Sequence, residues 1–373
     1  MGMLEISKVD KVYQSRGKPP VHAVRALDME VGKGEIVALL GSSGCGKTST
    51  LRMIAGFESV TSGEITLGRR RIDQLPPAKR RVAMAFEGYS LYPPLTVREN
   101  IAFALKAQQL SYAEVTRRVE AIAQLVEIAD ILDSYPRSIS GGQQQRVSLA
   151  RALVRDADLY LLDEPMGQLE PQLRAVLRGR IKGLLAERGM TAIFVTHDQT
   201  EASALAGRIA VMEDGVLQQF ASERELKDHP ANLFVASFIG EPPMNLLETE
   251  VAQADGGFRL SIGADLAFSL EGQTLDAAAG RALAQSTRLR VGIRPQKIAV
   301  GSGDVRVRVV SNQWLGDQSH VAGECDGRLL IAVTPNKITA RPGDILPFAL
   351  EARHLHLFGA DGNCIHHAEV ARP

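Results

Sequence analysis

Residues 41–48 read Gly-Ser-Ser-Gly-Cys-Gly-Lys-Thr, and these residue types at this spacing suit the binding of a phosphate chain. Phosphate oxygens are held by several backbone N–H groups at once, and glycine lets the backbone come close enough to present them. Lys47 supplies positive charge, and the hydroxyl of Thr48 can bind Mg²⁺. The sequence therefore predicts a phosphate-binding loop that also holds a metal ion. Its residues are Gly41, Ser42, Ser43, Gly44, Cys45, Gly46, Lys47, Thr48 and Ser49.

A pair of acids follows an apolar run later in the chain. Residues 159–162 are apolar, and Asp163 and Glu164 come directly after them. Such a run is typical of a buried parallel strand, and parallel sheets bind ligands at the carboxyl ends of their strands. Asp163 is placed to hold Mg²⁺ through its water shell, and Glu164 to polarise a water molecule that attacks a terminal phosphate. The pair therefore predicts hydrolysis at the phosphate site.

A Ser-Gly-Gly turn lies between these two strings. At a predicted helix start, this turn offers exposed backbone amides, a hydroxyl and the positive end of the helix dipole, which together attract an anion. An ordinary helix N-cap is the alternative interpretation, and the Gln-Gln-Gln-Arg string at 143–146 weakens it. The residues of the turn are Ser140, Gly141, Gly142 and Gln143.

Strands and helices alternate along the first part of the chain and must position these groups. This alternation indicates a mainly parallel sheet covered on both faces by helices. The predicted strands are 3–13, 35–40, 81–86, 158–163 and 192–196, and the predicted helices are 47–55, 115–125, 143–153 and 172–187.

The pattern of apolar and polar residues changes after two prolines, Pro242 and Pro243, which indicate a linker. Beyond them, short alternating runs separated by turn residues predict a small antiparallel barrel or sandwich. These runs are 246–251, 258–262, 289–293, 305–310, 329–333 and 345–350. The predicted domains are therefore residues 1–240 and residues 241–373.

The composition excludes several functions. The 373 residues carry 43 Lys and Arg against 43 Asp and Glu, which argues against nucleic-acid binding by bulk positive charge. No apolar run approaches the roughly 18 residues that span a bilayer, and no basic start precedes an apolar run as in a signal peptide. The three cysteines, Cys45, Cys325 and Cys364, have neither metal-type spacing nor the pattern of a disulfide framework, so a reducing cytoplasm is expected.

Two further clusters favour plain interpretations. The basic residues around 69–71 and 79–81 lack interleaved aromatic residues, so a solvated surface is expected there. Cys364, His366 and His367 could bind a metal ion, but a frayed C-terminal tail is the expected interpretation. Cys45 is interpreted as a small loop residue, because no second cysteine lies near it in the sequence.

The strings described above resemble those of the ATP-binding cassette ATPases, and so does their order. Residues 140–143 match the signature of that family, with Ile139 where leucine is usual, and Leu-Leu-Asp-Glu-Pro at 161–165 and Val-Thr-His-Asp at 195–198 follow in the family's order. Residues 51–65 and 91–100 resemble the maltose and glycerol-phosphate type of sugar-importer ATPase, and Gly-Ile-Arg-Pro at 292–295 resembles a string in its C-terminal domain. The resemblance implies an α/β cassette ATPase domain of the P-loop NTPase class, followed by an all-β, OB-fold-like (TOBE-type) regulatory domain.

The resemblance also implies cofactors, ATP and Mg²⁺, and roles for single residues. Tyr13 is expected to stack on adenine, Asp163 to assist the metal, Glu164 to be the catalytic glutamate and His197 to contact the γ-phosphate. The signature turn is expected to close the nucleotide site of a second cassette subunit, so that two ATP molecules lie between two cassettes.

Two positions depart from the family pattern. Glu87 stands where the family has a glutamine that touches Mg²⁺ and the attacking water, and its carboxylate adds negative charge beside a triphosphate. Glu170 replaces an aspartate that reaches across the cassette dimer. Because both positions communicate across the dimer while Lys47, Glu164 and His197 remain, we hypothesise that the chain pairs with a second, different cassette chain. The expected metal contacts are Thr48, Glu87 and Asp163.

The implied assembly is an import complex at the cytoplasmic face of the inner membrane, to which this chain binds peripherally. Its expected partners are two transmembrane permease subunits, a second cassette subunit and an extracytoplasmic solute-binding protein, with no nucleic acid. The cargo is expected to be a sugar, polyol or related small solute. Iron, phosphonate or polyamine import on the same plan remains an alternative, as does a cassette ATPase that acts in translation or on DNA.

Overall fold

The computed structural model describes residues 3–14, 16–88, 90–263, 266–271 and 275–369. The chain divides into two compact units, Met1–Glu223 and Arg224–Pro373. The segment before the proline pair belongs to the second unit, because the backbone N–H of Leu233 donates to Gly362 and the guanidinium of Arg294 donates to the carbonyls of Ala236 and Ile239. The domain boundary at 240/241 stays a prediction. In the described part of the chain, no helix has the length and apolar character needed to cross a bilayer.

The first unit contains a mainly parallel sheet, an antiparallel sheet and six α-helices in its described residues. Its strands are β1 Leu4–Tyr13, β2 Val21–Val31, β3 Ile36–Gly41, β4 Ser62–Leu67, β5 Arg70–Arg71, β6 Val82–Ala85, β7 Leu159–Asp163, β8 Ala192–Val195, β9 Arg208–Glu213 and β10 Val216–Ala221. Its helices are α1 Lys47–Ala55, α2 Val97–Phe103, α3 Tyr112–Leu125, α4 Gly141–Leu153, α5 Pro171–Glu187 and α6 Gln199–Leu205.

The central sheet of this unit has the order β10-β9-β3-β8-β7-β6, in which all neighbours except β10 and β9 run parallel. Its inner strands β7 and β8 are buried at every position, as expected for apolar runs in a sheet covered on both faces. The carboxyl ends of β3, β7 and β8 therefore meet at one edge, where the phosphate loop, the acid pair and His197 follow them. The predicted α/β fold is confirmed.

A second sheet of the first unit, with the order β2-β1-β4-β5, was not predicted from the sequence. Its β1–β2 pairing is interrupted by register shifts after Ile6, Val9 and Lys11. Lys8 and Ala26 have positive φ within these strands. These irregularities interrupt the alternation of apolar and polar residues by which strands are recognised in a sequence. For this reason β2 was not predicted as a strand.

The second unit is built from two antiparallel sheets, which confirms the predicted all-β character. Its strands are β11 Asn245–Ala254, β12 Gly257–Ile262, β13 Leu266–Glu271, β14 Arg288–Ile293, β15 Ala299–Trp314, β16 Ser319–Cys325, β17 Arg328–Thr334, β18 Ile345–Ala349, β19 Leu355–Phe358 and β20 Cys364–His366. Helices α7 Glu223–Asp228, α8 Leu233–Phe238 and α9 Ala277–Gln285 accompany them.

The two sheets of this unit have the orders β13-β12-β11-β14-β19-β20 and β17-β16-β15-β18. They share one apolar core, in which Leu260, Val291, Val307 and Phe348 are fully buried. Helix α9 was not expected from the sequence. Its first turn is capped by Asp276, which accepts hydrogen bonds from the backbone N–H groups of Ala278 and Ala279.

Candidate active site

The phosphate loop joins the end of β3 to the start of α1, and glycine is required at three of its positions. A Cβ atom at Gly41 would lie 2.1 Å from the carbonyl oxygen of Met212, and one at Gly46 would lie 2.3 Å from that of Ala23. Gly44 and Gly46 have φ angles of 80° and 102°, a region that favours glycine. The loop therefore needs these glycines to keep its curled backbone. The curl is what directs several backbone N–H groups toward a phosphate.

Lys47 is buried and lies inside this curl. Its Nζ donates to the carbonyl oxygens of Gly41 and Ser42, both at 2.8 Å, and lies 3.6 Å from the Sγ of Cys45. Burial raises the pKa of the Cys45 thiol, which keeps it protonated. This environment supports the interpretation of Cys45 as a packing residue, and it holds the lysine charge at the loop where a terminal phosphate would bind.

The phosphate loop and the acid pair meet through one hydrogen bond. The Oγ1 of Thr48 donates to the Oδ1 of Asp163 over 3.2 Å. Burial of Asp163 raises the pKa of its carboxyl to about 6, and the negative charge of Glu87 acts in the same direction. A hydroxyl and a buried carboxylate are hard oxygen donors of the kind that Mg²⁺ prefers, and a cation there would relieve the cost of the buried charge.

Glu164 and His197 form the second polar pair of the site. His197 follows β8, and its Nδ1 lies 3.0 Å from the Oε2 of Glu164. The side chain of Glu164 is 18% exposed and that of His197 is 73% exposed. The carboxylate therefore sits at the wall of the site, while the imidazole projects into it.

The backbone of Glu164 is held in a left-handed conformation, with φ of 48°. Its N–H donates to the carbonyl of Val195, and its own carbonyl accepts a hydrogen bond from the side-chain amide of Gln145 at 2.6 Å. The Oε1 of Gln145 accepts from the backbone N–H of Gln168 at 3.0 Å. The buried Gln145 thus fixes the turn after β7 from both sides.

Gln145 was not singled out as a site residue from the sequence. Its position in the Gln-Gln-Gln string beside the signature turn could have indicated a role in the site. The spacing alone, however, does not reveal which of the three glutamines points toward the turn after β7. Only Gln145 among them is buried, because α4 packs that face against the turn.

A cavity of about 400 Å³ brings most of these residues together. Its lining includes Lys47, Thr48, Glu87, Gln145, Glu164 and His197. Asp163 lies behind this wall, joined to it through Thr48. The cavity therefore combines a phosphate-binding loop, oxygen donors suited to a metal ion and a carboxylate–imidazole pair.

The signature turn and Glu170 lie outside this lining. The Oγ of Ser140 caps α4 by accepting a hydrogen bond from the backbone N–H of Gln143. The backbone N–H of Ser140 in turn donates to the Oε1 of Gln143. Glu170 stands at the N-terminus of α5 without a side-chain capping bond. These residues do not complete the cavity of their own chain.

Tyr13 stands at the end of β1, where its hydroxyl donates to the Oγ of Ser49 at 3.1 Å. The ammonium of Lys11 lies 4.6 Å from the centre of the Tyr13 ring. The ring is thus attached to the first turn of α1, next to the phosphate loop. Its stacking on adenine stays a prediction.

Comparison with known proteins gives matches along both units. A family model described as ABC transporter matches residues 24–167, and one described as TOBE domain matches residues 291–358. The chain is similar to the sn-glycerol-3-phosphate import ATP-binding protein UgpC of Cereibacter sphaeroides, with 42% identity over 96% of this chain and 99% of that protein. The protein of the same name from Ruegeria sp. is 41% identical over 89% of this chain and 91% of its own length.

Two solved structures resemble a part of the chain. The dimeric post-hydrolysis structure of the ATP-binding cassette MJ0796, bound to ADP and Pi, has a TM-score of 0.56 and 28% identity. It matches 59% of this chain and 98% of its own. A second dimeric structure of MJ0796, described as a bacterial ABC transporter cassette, has a TM-score of 0.56 and 29% identity.

Proposed function

The chain belongs to the ATP-binding cassette transporter family, and we propose that it hydrolyses ATP at the cavity described above to drive the import of a small solute. The predicted ATPase function is confirmed by the family match and by the similarity to import ATP-binding proteins, which the chain matches over nearly their whole length. The observation that carries the proposed site is the convergence of Lys47, Thr48, Glu164 and His197 on one cavity, with Asp163 bonded to its wall.

Each side chain has a role that follows from its position. Lys47 neutralises the terminal phosphates, which the curled loop holds through backbone N–H groups. Glu164 accepts the proton of the attacking water as general base. His197 binds the γ-phosphate, and its hydrogen bond to Glu164 aligns the carboxylate with the same phosphate.

Thr48 and Asp163 are the residues that would hold Mg²⁺, with Glu87 as a further oxygen donor at the cavity. When bound, the ion supplies positive charge that offsets the charge of the phosphates. The burial of Asp163 suits it to this role. A carboxylate removed from solvent is costly to ionise, and a cation beside it stabilises the ionised form.

The proposed assembly is a pair of cassettes bound to two permease subunits, together with an extracytoplasmic solute-binding protein. The signature turn of Ser140, Gly141, Gly142 and Gln143 completes the site of the second cassette, which accounts for its place outside the cavity of its own chain. The solved relative is dimeric, which supports this arrangement. We place the chain at the cytoplasmic face of the inner membrane, held there by the permeases.

The proposed cargo is a sugar, a polyol or a phosphate ester of one. Relatives named for sn-glycerol-3-phosphate import support this class. The test is reconstitution of the chain with the permeases and binding protein encoded beside it. ATP hydrolysis stimulated by sn-glycerol-3-phosphate or a sugar supports the proposal, and stimulation only by iron, a phosphonate or a polyamine overturns the cargo class while leaving the ATPase function intact.

A further inference from the structure

The C-terminal segment of the second unit is ordered by backbone pairing. Strand β20 pairs with β19, and the N–H of Cys364 donates to the carbonyl of Ala231 at 2.9 Å. The N–H of Glu369 donates to the carbonyl of Arg353 at 2.8 Å. The expectation of a frayed tail is therefore wrong for residues 364–369, because a hairpin and a neighbouring loop hold them.

This pairing brings together three side chains from two neighbouring strands and the segment that follows them. His356 lies in the middle of β19, Cys364 begins β20 and His367 follows it, and one nitrogen or sulfur atom from each lies within 4.8 Å of the other two. The Sγ of Cys364 lies 3.3 Å from the Nδ1 of His367. His356 is 3% exposed, and the other two residues are partly buried.

We propose that His356, Cys364 and His367 form a binding site for a divalent transition-metal ion of the zinc class. Two imidazoles and one thiolate are a borderline-soft donor set that suits Zn²⁺ or Co²⁺ and is poorly matched to Mg²⁺ or Ca²⁺. Ligand atoms around one zinc ion lie roughly 3.3–3.6 Å apart, as follows from metal–ligand bonds of about 2.0–2.3 Å. Cys364 and His367 already lie at this spacing, and atoms as far apart as 4.8 Å would have to approach by about 1 Å. Water takes the fourth position.

The protonation states of the three ligands set how many protons metal binding must release. Burial lowers the pKa of His356 to about 3, so its imidazole is uncharged and loses no proton to bind a metal. Burial lowers the pKa of His367 as well. Burial raises the pKa of the Cys364 thiol to about 11, so metal binding must displace one proton, as thiolate ligation generally does.

Two neighbouring groups oppose binding of the ion. The positive charge of Arg294 acts on His356 and disfavours a dication, but the thiolate formed at Cys364 neutralises one of the two charges of the ion. The Nδ1 of His356 accepts a long hydrogen bond of 3.4 Å from the N–H of Ala368. A metal at either ring nitrogen replaces this contact, which is too long to contribute much stability.

The surroundings close the site on one side. The ring of His229 packs edge-to-face against His367, with 5.0 Å between ring centres, and the ring of His356 lies 5.9 Å from that of His367. A bound ion would therefore join β19 to the C-terminal segment, and His229 would pack against one of its ligands. None of its three residues lines the nucleotide cavity.

The test is titration of the full-length chain with Co²⁺ in the absence of nucleotide, followed by displacement with Zn²⁺. We expect one ion per chain, a sulfur-to-cobalt charge-transfer band, and a higher melting temperature with Zn²⁺. The variant Cys364→Ser should lose the band, and His367→Ala should weaken binding by more than the roughly 10–100-fold typical of removing an outer partner.

The matched control is Cys325→Ser, which removes another partly buried cysteine of the same unit and should leave the titration unchanged. Circular dichroism of each variant checks that the fold is retained. Absence of a charge-transfer band in the wild-type chain would overturn the proposal. A band that survives in Cys364→Ser would also overturn it, since the metal would then lie at Cys45 or Cys325.

Discussion

The Nδ1 of His197 lies 3.0 Å from the Oε2 of Glu164, so the proposed general base and the proposed phosphate-binding histidine share a hydrogen bond. The two residues follow neighbouring parallel strands, β7 and β8, whose ends meet at the same sheet edge. In the proposed mechanism, this pair would couple contact with the terminal phosphate to the orientation of the carboxylate that activates water.

Replacing His197 with alanine should lower the rate of ATP hydrolysis by roughly 10²-fold, because a donor to the developing phosphate charge and the orienting contact to Glu164 are both lost. Nucleotide affinity should change little, since the phosphate loop is untouched. The measurement is phosphate release by the assembled complex. The control is His22→Ala, whose imidazole pairs with Asp10 in the antiparallel sheet. An equal loss in both variants would contradict the assigned role.

The buried carboxyl of Asp163 should cost stability while it serves metal binding. Its pKa is about 6 in the fold against an ordinary 3.8, so it stabilises the fold fully below about pH 4 and loses that contribution as the pH rises through 6. Asp163→Asn keeps an oxygen for Thr48 and removes the charge. Above pH 6 the variant should be more stable by up to about 3 kcal/mol, at about 1.4 kcal/mol per unit of pKa.

This gain is measured by thermal unfolding of the first unit across a pH series, without nucleotide or metal. Asp133→Asn is the control, since that side chain is 87% exposed. The same Asp163 variant should lose Mg²⁺-dependent nucleotide binding. A variant that is less stable than the wild type at pH 8 would contradict the assigned burial cost.

Much of the site was predictable because its residues lie at the ends of elements with strong local patterns. The phosphate loop, Asp163, Glu164 and His197 each lie at or just after the end of a short apolar strand, so parallel pairing alone brings them to one edge. The left-handed backbone of Glu164 and the inward orientation of Gln145 depend on how α4 packs, which no local pattern encodes. The cluster of His356, Cys364 and His367 depends on the β19–β20 hairpin, whose strands are only four and three residues long.

Glu87→Gln should raise the affinity for Mg·ATP. Glu87 lines the cavity, and its charge acts on Asp163. A glutamine there keeps an oxygen that can face the metal ion but removes the repulsion between the carboxylate and the triphosphate. A like-charge contact at about 4 Å costs roughly 4 kcal/mol at an effective dielectric constant of 20, and because Glu87 is exposed, solvent screening reduces this to an expected gain of several-fold in affinity. Binding of a fluorescent ATP analogue measures it, with Glu120→Gln on α3 as the control. Unchanged affinity and unchanged coupled hydrolysis would mean that the substitution of the family's glutamine is silent.

The departures at Glu87 and Glu170 lead to an expectation about the partner cassette. If they reflect two unequal ATP sites, the complex purified from its native host should contain one copy of this chain and one of a different cassette chain. Native mass spectrometry of the complex with its permeases gives the count directly. Two copies of this chain and no other cassette would contradict the hypothesis and leave a homodimer.

Glu164→Gln tests the central claim most directly, because it removes the general base while keeping the size of the side chain and the phosphate loop. The measurement is solute-stimulated ATP hydrolysis by the complex reconstituted in liposomes. We predict a loss of roughly 10²–10⁴-fold in rate, with ATP binding retained and solute uptake abolished. Hydrolysis at the wild-type rate in this variant would contradict the assignment of Glu164 and, with it, the proposed site of ATP-driven import.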